Sequence, residues 1–186
     1  MKKENVSKLT LTAVMIALST VLSVIPAIQL PFGGKTTFAS MLPVMLVVLK
    51  YDFKWGLFTT FLYSVIQLGL SLGKVLSWGL APIVLIGCLL LDYILPYTAL
   101  VLAGSFKARG RAGVIGGVSL ALVLRYLFHV LSGIVLWDYI TEMGFWGAVV
   151  YSLGYNATYM LPELVITLIV LVALLSTSAY KKIMEY

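Results

Sequence analysis

Long apolar runs separated by short polar or basic segments recur along the whole chain. The runs are continuous and lack the polar–apolar alternation of membrane β-strands. They predict six helical spans, at about 7–29, 37–51, 54–73, 79–104, 112–137 and 146–178. A crossing helix needs about 20 residues, so the second is short and the sixth is long enough to tilt or project. Helices are the expected form because they satisfy their own backbone polar groups in hydrocarbon. The expected fold is an all-α membrane protein, a single domain over residues 1–186. Prolines punctuate it. Pro26 and Pro31 flank the first connection, with Gly33 and Gly34 close behind. Pro43 interrupts the second span, Pro82 and Pro96 bracket the fourth, and Pro162 sits in the sixth.

Composition agrees. Hydrophobic residues make up 61% of the 186 and charged residues 11%, against about 45–50% and about 25% in soluble domains. A chain this small cannot bury so much apolar surface in a water-soluble core. The net charge of +6 is dispersed between spans, which argues for membrane orientation and against nucleic acid. With six spans, Lys2, Lys3, Lys8, Lys50, Lys54, Lys107, Arg109, Arg111, Lys181 and Lys182 share the side of the two termini. Lys35 and Lys74 fall opposite. The positive-inside rule then makes both termini cytoplasmic. The basic, apolar amino end resembles a signal peptide but has no small-x-small cleavage site, so a retained first helix is expected.

Several activities lack material. The single cysteine, Cys88, excludes a disulfide framework or a multi-cysteine metal site. One histidine and no His-Glu-x-x-His leave little for a metalloprotease or a triad. Gly73-Lys74 lacks the glycine spacing and following Ser/Thr of a P-loop, so the chain is not expected to hydrolyse ATP. No enzyme activity, cofactor or metal is expected.

Ionisable residues within spans are costly and therefore functional candidates: Asp92, Arg125, His129 and Glu163. Arg125 and His129 share a helix face, with Trp137 two turns further on. Tyr151, Tyr155, Tyr159 and Glu163 recur every four residues, and Asn156 fits the stripe of Tyr159 and Glu163. Structural roles stay open: Asp92 pairing with Arg125, His129 as an interhelical donor, Tyr151 as an interfacial anchor. Trp78 and Trp146 suit either belt or binding, and Trp55 suits an anchor. Together the polar and aromatic groups fit a small, flat, polar ligand, or a cation. Ala13 and Ala17 let helices approach closely, within the chain or against another subunit. A secondary transporter using Asp92 or Glu163 as proton carrier, or a membrane scaffold, is also compatible.

Arg125-Tyr-Leu-Phe-His129-Val-Leu-Ser-Gly133-Ile-Val-Leu-Trp137, Trp146-Gly-Ala-Val-Val-Tyr151-Ser-Leu-Gly-Tyr-Asn156 and Asp92-Tyr93 followed by Pro96 carry a resemblance. The chain resembles the S components of energy-coupling factor (ECF) transporters, above all the thiamin-specific ones. The resemblance implies a multi-pass protein of the bacterial cytoplasmic membrane that captures a vitamin. Its partners would be a transmembrane coupling subunit and two ATPases. It implies ligand contacts from His129, Tyr151 and Asn156, stacking by Trp137, and Asp92 with Tyr93 where the family grips an aminopyrimidine through a glutamate. Arg125, Tyr155, Tyr159 and Glu163 would be ligand-binding or structural. Ala13 and Ala17 would dock on the coupling subunit, and the loop around 30–37 would close over the ligand. This chain departs from the pattern in three places. Asp92 is one methylene shorter. Phe32 to Thr37 replace the expected Trp and Glu, and no histidine lies between spans three and four. Another heterocyclic nutrient is the alternative ligand.

Overall fold

In the first helix, α1 (Lys3–Val24), the buried positions are Thr12, Met15, Ile16, Ser19 and Ser23. The exposed ones include Val6, Leu9, Val14, Leu18 and Val21. The helical period is respected but the polarity is reversed relative to a water-soluble helix. α3 (Phe53–Ser77) repeats this, burying Thr59, Thr60, Ser64 and Gln67 while Phe58, Phe61, Val65 and Leu70 face outward. Apolar surface turned outward suits lipid, and polar groups turned inward find each other. The Trp55 indole donates to Thr12 Oγ1 at 2.9 Å, and Gln67 Nε2 donates to Ser23 Oγ at 2.9 Å.

The computed structural model describes residues 3–30, 33–137 and 139–185. The expectations on Lys2, Pro31 and Phe32 lie outside the described residues. Four helical stretches are long and apolar enough to cross a membrane: Glu4–Val24, Phe53–Ser77, Pro82–Leu136 and Thr141–Leu175. The third, 55 residues long, folds back on itself. Its first arm runs through α4 (Pro82–Cys88), a π-helical turn (Leu89–Ile94), α5 (Leu95–Thr98) and a 3-10 segment (Ala99–Gly104). A turn ending at Gly110, whose φ is 69°, leads into α6 (Gly110–Leu136). The arms pack so closely that a Cβ on Gly117 would collide with the Ala103 carbonyl. α7 (Tyr139–Leu175) bends at Gly144, φ 73°, and a short amphipathic α8 (Ser178–Glu185) follows. The protein is thus mostly helical and multi-pass.

Three expectations need correction. The fold is not purely α, because the chain leaves α1 at Val24 and forms a ribbon. β1 (Pro26–Gln29) pairs antiparallel with β2 (Lys35–Thr37). Pro26 explains the early stop: it lacks an N–H and disfavours helical geometry at the residue before it. The segment expected to span at 37–51 is helical only as α2 (Leu42–Lys50). Nine residues rise only about 14 Å, too little for a hydrocarbon layer of about 30 Å. Leu42 to Leu49 are all buried, so α2 packs inside the bundle and is too short to cross by itself. Pro43 does not interrupt it but occupies its first turn, where a missing N–H costs nothing.

One end of the bundle gathers basic residues. Lys8 lies 3.3 Å from Asp52 and 4.4 Å from the Trp55 ring centroid. Lys50 donates to the Ile183 carbonyl of α8 at 2.6 Å, and Lys107 donates to the Tyr51 carbonyl. At the other end the ribbon is clamped to α7 by Glu163, which is 2% exposed. Its Oε2 accepts the Thr37 N–H at 2.5 Å, and its Oε1 accepts the Thr37 hydroxyl at 2.8 Å. Thr36 Oγ1 adds a bond to the Tyr159 carbonyl at 3.0 Å. Hydrogen bonds to charged groups are worth about 1.5–3 kcal/mol. Glu163→Ala should therefore lower the melting temperature of the detergent-purified protein by a corresponding amount. Unchanged melting would show that the clamp is not structural.

Candidate ligand-binding site

Beneath the ribbon lies a cavity of about 260 Å³. Each wall is a helix face whose spacing in sequence explains its convergence. From α6 come Arg125, His129, Ser132 and Gly133, and from α7 come Tyr151, Ser152, Tyr155, Asn156 and Tyr159. Both sets follow the three- and four-residue steps of one helix stripe. Asp92, Tyr93 and Tyr97 come from the opposing arm, Gln67, Ser71 and Lys74 from α3, and Gly34 and Lys35 from the ribbon loop. The π-helical turn holds Asp92 and Tyr93. Such a turn adds a residue to the helix and re-aims the side chains within it.

Asp92 is held from both sides. Its Oδ1 lies 3.0 Å from His129 Nδ1, and its Oδ2 accepts the Ser132 hydroxyl at 2.6 Å. In a neutral imidazole, a proton on Nδ1 would donate to this carboxylate and leave Nε2 as an acceptor. Among the described residues, buried His129 Nε2 has no partner, and the same holds for Arg125 Nε. Both residues line the cavity. Buried polar atoms are nearly always paired, so two orphaned atoms on residues that line one cavity make it the candidate site for a polar ligand.

The remaining polar groups are organised among themselves. Asn156 donates to the Ser152 carbonyl at 2.9 Å and accepts the Tyr159 hydroxyl at 2.5 Å. The Gly34 N–H donates to Tyr155 Oη at 3.2 Å, tying the loop to α7. A Cβ at Gly34 would press on the Tyr155 hydroxyl and the Tyr159 ring, so only glycine lets the loop lie this close. Tyr151 and Tyr155 stack with centroids 6.2 Å apart, and Trp78 meets Trp137 edge-on at 5.2 Å. This gives the cavity an aromatic flank and a polar flank. Chemically it can hold a flat heteroaromatic molecule, giving and receiving hydrogen bonds at its edges.

The cavity brings together Asp92, Tyr93, His129, Trp137, Tyr151 and Asn156, with Arg125, Tyr155 and Tyr159. Glu163 stands apart from its lining, bound to Thr37 instead. Arg125 does not pair with Asp92. It donates to Tyr97 Oη at 3.1 Å, stacks 4.4 Å over the Tyr97 ring centroid, and meets Met41 Sδ at 2.6 Å. Trp146 is 76% exposed and lies outside the lining, whereas Trp78 is part of it. Sequence reasoning passed over Gln67, Ser71, Tyr97 and Ser132, which carry no signal at single-residue level. It placed Lys74 in a connection, although α3 continues to Ser77.

Comparison with known proteins identifies the family. A family described as "Thiamine transporter protein" matches residues 9–183. Thiamine transporter ThiT of Bacillus subtilis (strain 168) is 31% identical over 182 aligned residues, covering 89% of this chain and 88% of the relative. A solved structure of ThiT from Listeria monocytogenes superposes with a TM-score of 0.70 at 23% identity, covering 98% of this chain and 99% of that one. A match spanning nearly the whole chain, together with that identity, settles the family: the chain belongs to the thiamine transporter proteins.

Proposed function

We propose that the protein is the S component of an ECF-type importer and captures thiamin from the external side of the bacterial cytoplasmic membrane. The observation that carries this reading is the cavity, lined by both His129, whose buried Nε2 has no partner among the described residues, and Trp137. Thiamin joins an aminopyrimidine, with donors and acceptors at its edge, to a thiazolium ring. The aminopyrimidine amine would donate to His129 Nε2. Asp92 orients that imidazole, and its oxygens keep lone pairs for a further contact with the ring edge. Trp137 and Trp78 would flank the thiazolium, a cation that aromatic faces favour. Tyr151 and Asn156 complete the polar edge, with Tyr93, Tyr155 and Tyr159 as walls.

The same reading assigns six passes, with both termini cytoplasmic. It is supported by the clustering of Lys8, Lys50 and Lys107 at one end and the ribbon and cavity at the other. α2 then completes its pass together with the ribbon, buried among neighbours that shield its irregular backbone. The partners would be a transmembrane coupling subunit and two ATPases. Ala13 and Ala17 are exposed on α1, a small-residue surface on which another helix can pack closely.

Thiamin should quench the intrinsic tryptophan fluorescence of the purified protein saturably. Trp137→Ala and His129→Ala variants with unchanged circular dichroism should each bind at least about tenfold more weakly, the equivalent of about 1.4 kcal/mol. Affinities equal to the parent's would remove these residues from the site. Ala13→Trp should abolish thiamin uptake by cells that also express the partner subunits while binding stays intact. Continued uptake would contradict docking through this face.

A further inference from the structure

A second cavity lies at the basic end of the bundle, as a groove between α1 and α8. Its volume is about 420 Å³, and Ser7, Thr10, Leu11, Val14, Lys182 and Ile183 line it. The four α1 residues fall at i, i+3, i+4 and i+7, a single stripe on one helix face. The stripe is graded. Ser7 and Thr10 stand at its terminal end, and Leu11 and Val14 follow, deeper in a segment long and apolar enough to cross a membrane. Leu18 and Val21, both exposed, continue the same face beyond the groove.

α8 supplies the opposite wall, and its position is fixed. Tyr180, Ile183 and Met184 pack on the buried core. Lys50 donates to the Ile183 and Met184 carbonyls at 2.6 and 3.1 Å. Lys181 and Lys182 are left exposed, and of the two it is Lys182 that lines the groove. Among the described residues, Lys182 forms no ion pair. Glu4 and Glu185, the carboxylates at the near ends of α1 and α8, lie outside the lining. Thr10 Oγ1 already donates to the Val6 carbonyl at 2.9 Å. The donors that remain at the mouth are the Ser7 hydroxyl and the Lys182 ammonium.

An ammonium and a hydroxyl at the polar end of an apolar groove match an amphiphile with an anionic head. Basic pockets beside transmembrane helices at the membrane surface take lipid head groups of this kind. A water-soluble phosphate would leave Leu11, Val14 and Ile183 uncovered. Ala13 and Ala17 lie roughly a quarter-turn away around α1, so the groove is separate from the face assigned above to subunit docking. We propose that the groove holds one anionic phospholipid, its phosphate on Lys182 and Ser7 and an acyl chain along Leu11, Val14 and Leu18. The lipid bridges α1 to α8.

The test is native mass spectrometry of the purified protein after exchange into equal amounts of phosphatidylglycerol and phosphatidylcholine with the same acyl chains. Phosphatidylglycerol should be retained about fivefold more, the preference that one lysine near a membrane surface supplies. Lys182→Gln should abolish the preference and Lys182→Arg should keep it. Lys181→Gln, which removes the same charge outside the groove, should keep it too. Equal retention of the two lipids would overturn the proposal. So would equal losses in Lys181→Gln and Lys182→Gln, the mark of diffuse surface charge. Retention of neither lipid would also overturn it, and would leave the groove to a protein partner. Thiamin titration of the same preparations reads the other cavity independently, so failure here leaves the thiamin reading in place.

Discussion

The cavity depends on the grip of His129 and Ser132 on the Asp92 carboxylate. A lone carboxylate within an apolar helix is costly, and the two bonds, at 3.0 and 2.6 Å, offset that cost. They also tie the arm that holds Asp92 to α6 and hold the imidazole in one orientation. The π-helical turn is part of the same device, since it sets the direction of Asp92 and Tyr93 out of their helix. Replacing either partner would leave a buried charge or a misdirected imidazole, so the polar wall stands or falls as one unit.

Lipid explains why the polar groups collect there. With apolar side chains directed outward, the inner faces of α1 and α3 hold Ser, Thr and Gln. These groups satisfy one another across the bundle. The cavity is where this internal polar network widens into a site. Its ceiling is fastened independently, by Glu163 to Thr37 and by Tyr155 to Gly34. The ribbon's position is therefore coupled to the same α7 stripe that lines the cavity. A ligand pressing on Tyr155 or Tyr159 and a displacement of the loop would act on the same residues.

Hydropathy made the helical passes legible, because continuous apolar runs leave few alternatives in a chain of this composition. The cost of intramembrane charge drew attention to Asp92, Arg125 and His129, which do line one cavity. Periodicity on one helix cannot say which neighbour a side chain meets, however. Asp92 is bonded to His129 and not to Arg125, which is held by Tyr97 and Met41. Glu163 has the same intramembrane signature as Asp92, yet it serves the ribbon. The ribbon itself was hidden, since Pro26 and two threonines can stop a helix in many ways. Ser132 and Gln67 were invisible because a small polar residue in an apolar run gains meaning only from what stands opposite.

A crystal or cryo-electron microscopy structure of the protein with bound thiamin decides whether this cavity is the site. The aminopyrimidine should lie within hydrogen-bond distance of His129 Nε2, the second ring against Trp137, with Asp92 still bonded to His129 and Ser132. A ligand bound outside this cavity, or a His129 turned away with Asp92 contacting the ligand alone, would contradict this assignment.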